Sequence, residues 1–72
     1  MTDNVNSPKH YIKGGMECID SIEARLGKHL FKGYLIGSIM KYTWRYEDKG
    51  GVEDLRKARW YLDRLIKEEC DA

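Results

Sequence analysis

What the chain has little of narrows it first. Its two cysteines, Cys18 and Cys70, make neither a disulfide framework nor a CxxC zinc pattern, so a reduced, cytoplasmic setting is expected. His10 and His29 have no Cys or His at zinc-ligand spacing, which sets a zinc site aside. The single proline, Pro8, falls in a polar leading stretch, and no signal peptide is expected. No apolar run approaches the ~18 residues of a membrane span, so no membrane partner is expected. The formal net charge is only +1, which predicts no long-range attraction to nucleic acid. There is no Gly-x-x-x-x-Gly-Lys-Ser/Thr phosphate loop. The Gly-rich loop and catalytic Asp and Asn elements of protein kinases are absent too. Neither cysteine has a histidine close in sequence with which to form a nucleophile pair.

What is present is helical periodicity. At about 100° per residue, Phe31, Leu35, Ile39, Tyr42 and Tyr46 share one face of a central helix, and Ile36, Met40 and Thr43 share the adjoining one. Together they span about half the circumference, so this helix is expected to be covered on two sides. Gly33 and Gly37 cost up to ~1 kcal/mol each against Ala in a helix interior, which points to close approach of another backbone or to a break near Gly33. A preceding helix, with Ile19, Ile22 and Leu26 inward, ends at Gly27 as a C-terminal stop. A last helix carries Val52, Leu55, Ala58, Leu62, Leu65 and Ile66 as its buried stripe, with Trp60 facing outward. Glu53 to Lys57 and Asp63 to Lys67 have the spacing of i,i+4 ion pairs. Lys13-Gly14-Gly15-Met16-Glu17 and Lys49-Gly50-Gly51-Val52-Glu53 echo each other before two of the helices. The spacing therefore predicts a compact all-α domain of three helices, over 16–26, 29–47 and 52–69. A polar N-terminal arm covers 1–12 and the helical core 13–72. A single core this small predicts a homo-oligomer.

Two kinds of chemistry are open to these residues. Lys41 and Arg45 share a helix stripe with Tyr34 and Ser38 that holds no carboxylate. Lys49, Arg56 and Lys57 converge on it if Gly50-Gly51 folds the helices antiparallel. The start of the last helix offers free N–H groups to a phosphate. Tyr42, Trp44 and Trp60 offer surfaces on which a base can stack. The plain alternative is a solvated cationic face beside core aromatics, with Arg45 paired to Asp54 or Glu53 across the turn. The other chemistry is metal binding. Glu17, Asp20 and Glu23 on one helix, and Glu47, Asp48, Glu53 and Asp54 around the second glycine pair, have spacings with which helical nucleotide pyrophosphohydrolases hold magnesium.

Several segments in order carry a resemblance: Asn4-Val5-Asn6-Ser7-Pro8-Lys9-His10-Tyr11, Gly14-Gly15-Met16-Glu17-Cys18-Ile19-Asp20, Lys41-Tyr42, Arg45, Lys49-Gly50-Gly51-Val52-Glu53-Asp54-Leu55 and Lys57-Ala58-Arg59-Trp60-Tyr61-Leu62. From about Asn4 to Ile66 the chain resembles the SaV-like family of small bacteriophage proteins. That family is named for a phage protein that confers sensitivity to a host abortive-infection system. A similar segment occurs in the nucleotide kinase of short-tailed coliphages. The resemblance implies a nucleotide-binding protein of the host cytoplasm, acting as a deoxynucleoside monophosphate kinase or by sequestering nucleotides. The residues expected to bind the nucleotide or its phosphate, read from the cationic face, the arm and the aromatics, are His10, Lys41, Arg45, Lys49, Lys57 and Trp60; magnesium is needed only if phosphoryl transfer occurs. The alternative it implies is a non-enzymatic module that engages a host defence protein. The family pattern has Asn where this chain has Ser38, which keeps a hydroxyl but lacks the amide's paired donor and acceptor.

Overall fold

The computed structural model describes residues 12–13 and 16–71. The expected arm over 1–12, including His10, and the Gly14-Gly15 breaker lie almost wholly outside the described residues. Four elements follow in order: β1 (Ile12–Lys13), β2 (Met16–Glu17), α1 (Cys18–Arg45) and α2 (Gly51–Cys70). β1 and β2 form a minimal antiparallel ladder, with Ile12 opposite Glu17 and Lys13 opposite Met16. The described helices make an all-α fold, but there are two of them where the sequence predicts three.

Gly27 is the reason for that difference. It sits inside α1 at φ 79°, ψ 167°, where a side chain would be strained and glycine is not. Helix resumes at once with Lys28, so α1 is two helical stretches joined across one non-helical residue: the expected stop is present, but no connecting loop follows it. Gly33 and Gly37 stay helical, and a Cβ at either would meet nothing within 4 Å. The close backbone approach expected at this pair is not made within the chain.

α1 ends at Arg45, two residues before the predicted boundary, in a turn over 46–50. There the Lys49 N–H donates to the Arg45 carbonyl (3.0 Å) and the Gly51 N–H to the Tyr46 carbonyl (2.7 Å). Gly51 takes φ 57°, the second position that requires glycine. The turn sends α2 back antiparallel to α1, with Arg45 beside Asp54 at one end and Lys32 beside Glu69 at the other.

The seam between the helices is narrow. Among the described residues, its buried apolar side chains are Phe31, Leu35 and Ala58. Ile39, Tyr42 and Tyr46 are half-buried, as their shared face predicts. On α2 the expectation fails. Only Ala58 of the predicted stripe is buried; Leu65 is half-buried, and Val52, Leu55, Leu62 and Ile66 are exposed. The face turned to α1 is instead Asp54, Ala58, Tyr61, Leu65 and Glu68, alternating in steps of four and three. Two buried carboxylates therefore occupy seam positions. The predicted pairs Glu53–Lys57 and Asp63–Lys67 do not form. Arg64–Glu68 (3.1 Å) and Lys67–Asp71 (3.8 Å) take their place.

Candidate anion-binding face

One side of the hairpin is built around Tyr42. The i,i+3/i+4 alignment of Tyr34, Ser38, Lys41 and Arg45 on α1, and of Lys57, Tyr61 and Arg64 on α2, brings these residues to the same edge of the seam. The Lys41 Nζ lies 4.6 Å from the Tyr42 ring centroid, the Lys57 Nζ 5.5 Å and the Arg45 Cζ 5.8 Å. Three cations thus gather on one phenol ring, within the reach at which a ring quadrupole attracts them. Tyr42 stacks on Tyr61 at 5.9 Å. Trp60 (5.1 Å) and Tyr34 (6.1 Å) meet Tyr61 edge-on.

Among the described residues, the carboxylate paired with these cations is Asp54. Asp54, only 1% exposed, accepts from the Arg45 Nε–H (3.0 Å) and from the Gly50 N–H (3.0 Å). This is the pairing across the turn that the plain alternative anticipates. It also corrects one expectation. The N–H groups of the glycine pair are not open to a phosphate: that of Gly50 is taken by Asp54 and that of Gly51 by the Tyr46 carbonyl. Lys41 and Lys57 have no ion pair among the described residues, and Asp54 offsets Arg45 alone.

Of the residues implied as binding, Lys41, Arg45, Lys57 and Trp60 come together. Lys49 is exposed in the turn and joins none of these contacts, and His10 lies outside the described residues. Trp60 is half-buried, not outward. Trp44 is 88% exposed and stands on the far side of α1, away from the stacking surface expected to include it. Arg56 is exposed outside the Tyr42 group. The residue that sequence reasoning missed is Tyr61, which connects Tyr42, Tyr34 and Trp60. Its signal was available in the 54, 58, 61, 65, 68 spacing, hidden by the polar ends of that row.

A second charged cluster ties the first half of α1 to α2. The Arg64 NH2 group lies 2.9 Å from Glu23 and 3.6 Å from Asp20, its Nε–H donates to Glu68 (3.1 Å), and its guanidinium covers Phe31 at 5.3 Å. Burial by itself pushes the Glu68 carboxyl up. The Arg64 hydrogen bond and the charges of Lys28, Arg64 and Lys67 outweigh it and hold Glu68 below the usual value. Burial likewise disfavours the Arg64 cation, but Glu68 and Glu23 more than offset it and raise its pKa. Three of the seven carboxylates read as magnesium ligands are therefore occupied: Asp20 and Glu23 by Arg64, Asp54 by Arg45. No group of three or more His, Cys, Asp or Glu among the described residues is placed to hold a metal ion.

No curated protein and no solved structure matches the chain. The pattern of a family described as proteins of unknown function, DUF3310, matches residues 5–63. That stretch takes in both helices up to the middle of α2, the turn between them and every residue of the Tyr42 group, and on it the chain belongs to the DUF3310 family.

Proposed function

We propose that this is a small phage-encoded nucleotide-binding protein, working in the host cytoplasm as a homo-oligomer. The observation that carries the reading is the Tyr42 group: three cations on one ring, one carboxylate to offset them, and Tyr61 and Trp60 alongside. Cations left without partners favour a phosphate, and aromatic faces favour a base. The likeness of the chain to SaV-like phage proteins and to a segment of a coliphage nucleotide kinase supports the same ligand class. Binding, by sequestration or as the first step of phosphoryl transfer, is what these residues explain. Magnesium belongs to the reading only with phosphoryl transfer, and no residue is assigned a catalytic role.

The test is thermal. The protein is melted with deoxynucleoside mono- and triphosphates, with and without magnesium. A ligand at 100 times its dissociation constant stabilises by about 2.7 kcal/mol. Lys41→Gln/Lys57→Gln is the diagnostic variant, because neither lysine has an ion pair to lose. It should keep its helicity and its unliganded stability while losing at least about tenfold in affinity. Unchanged affinity in the folded variant would sink the phosphate reading. One observation favours a second reading, a module that engages a host defence protein: Trp44 is 88% exposed, an anchor of the kind partners use. A protein that shifts with no nucleotide points there.

A further inference from the structure

We infer that the side of the hairpin opposite the Tyr42 group is the interface with a second copy of this chain, formed by antiparallel packing of α2 against its symmetry mate. This rests on the homo-oligomeric part of the reading above and names its surface; nucleotide binding does not enter.

The first support is the apolar surface left uncovered. Val52, Leu55, Leu62 and Ile66 form a row on α2, stepping three and four residues apart through Arg59, and Ile36 of α1 is a further exposed aliphatic side chain. All five are 39–60% exposed. The row has the 4-3 spacing of a helix seam and lies beside the one already used within the chain. Inside the chain, by contrast, the buried apolar set among the described residues is Phe31, Leu35 and Ala58. That is a small core for the two helices it joins. Closing the row against itself would add these aliphatic side chains to it.

The second support is charge. Arg59, in the middle of this row, and Asp63, one helical turn on at its edge, are exposed, and neither has an ion pair among the described residues, not even with the other. In an antiparallel twofold contact the same flanks of the two helices meet. Setting Leu55 against the partner's Ile66 then puts Arg59 level with the partner's Leu62, one residue from the partner's Asp63 and within reach of it, and the symmetry repeats the pair. A parallel contact would set Arg59 against Arg59.

Sedimentation equilibrium of the full chain tests this. The wild type should be a dimer, or an assembly of dimers, at micromolar concentration. Leu62→Glu/Ile66→Glu should become monomeric. The charge variants keep the question open to test if that protein fails to fold, since neither residue has a partner within the chain. Arg59→Asp and Asp63→Arg should each weaken association by at least about tenfold, because like charges then meet. The combined exchange Arg59→Asp/Asp63→Arg should restore it. A monomeric wild type at high micromolar concentration would leave the face to some other partner and overturn the proposal. So would a dimer indifferent to Leu62→Glu/Ile66→Glu, or a double exchange as weak as the single ones. Lys41 and Lys57 are on the other side, so a failure here leaves the nucleotide reading standing, and the reverse.

Discussion

Asp54 holds the turn together with one carboxylate. It accepts from Arg45 on α1 and from the Gly50 backbone, and a Cβ at Gly50 would overlap that carboxylate. Asp54→Ala should cost about 3 kcal/mol, the low end for breaking a buried pair, because Arg45 remains partly in water. Asp54→Asn should cost about half as much, since the amide oxygen can still accept from Gly50. Gly50→Ala should destabilise by about 1–3 kcal/mol by displacing the carboxylate. In an Asp54→Ala background the same change should be close to neutral. Urea unfolding of the four proteins measures that coupling, and additivity would mean the contact carries nothing. Arg45 was legible as an ion-pair candidate because it and Asp54 flank a glycine turn. The second bond of Asp54, to the Gly50 N–H, was not legible, because it depends on the dihedral angles of the turn.

Glu68 gives the residue scale its pH dependence. Its carboxyl is held below the usual range in the folded chain. The stability it contributes is therefore fully present above the unfolded value, about 4.3, and is lost as pH falls through the folded value. Denaturation should show a flat neutral range and an acid limb. Glu68→Gln should shrink that limb while lowering stability at pH 7, where Arg64 loses a charged partner. An unaltered acid limb would remove Glu68 from the account.

At the scale of elements, the two helices differ in what their sequence told. α1 was readable: Phe31 and Leu35 are fully buried, and Ile39, Tyr42 and Tyr46 follow on the same face. Its glycines were readable only in part. Gly27 needs its positive φ, while Gly33 and Gly37 are open to solvent within the chain. Gly37→Ala should accordingly stabilise the fold by up to ~1 kcal/mol, whereas Gly27→Ala should destabilise it by about 1–2 kcal/mol. Melting both variants tests this. A Gly37→Ala protein less stable than wild type would show that another backbone does approach there. α2 was misread because it carries two rows with the same spacing. Hydrophobicity selects Val52, Leu55, Leu62 and Ile66. The row that faces α1 instead runs from Asp54 to Glu68, whose carboxylates are held by Arg45 and Arg64.

For the whole molecule, the division of faces matters more than the helix count. One side gathers cations on aromatic rings and the other leaves a row of aliphatic side chains in water. If that row closes against a second copy, the melting temperature should rise with protein concentration, because association stabilises by mass action. In Leu62→Glu/Ile66→Glu it should not move. Differential scanning calorimetry over a wide concentration range reads the difference.

The sequence by itself determined that the chain is helical, that glycines bend it at residues 27 and 50–51, and that Phe31 and Leu35 go inside. Each of these follows from local rules of backbone freedom and periodicity. It also put Lys41 and Arg45 on one stripe, since residues i and i+4 of a helix must align. Only the tertiary structure decided which side of α2 meets α1, that Lys57 joins Lys41 and Arg45 over Tyr42, and that Arg64 takes Asp20, Glu23 and Glu68. Those outcomes depend on the rotation of one helix about its own axis relative to another. A helical period is blind to that angle.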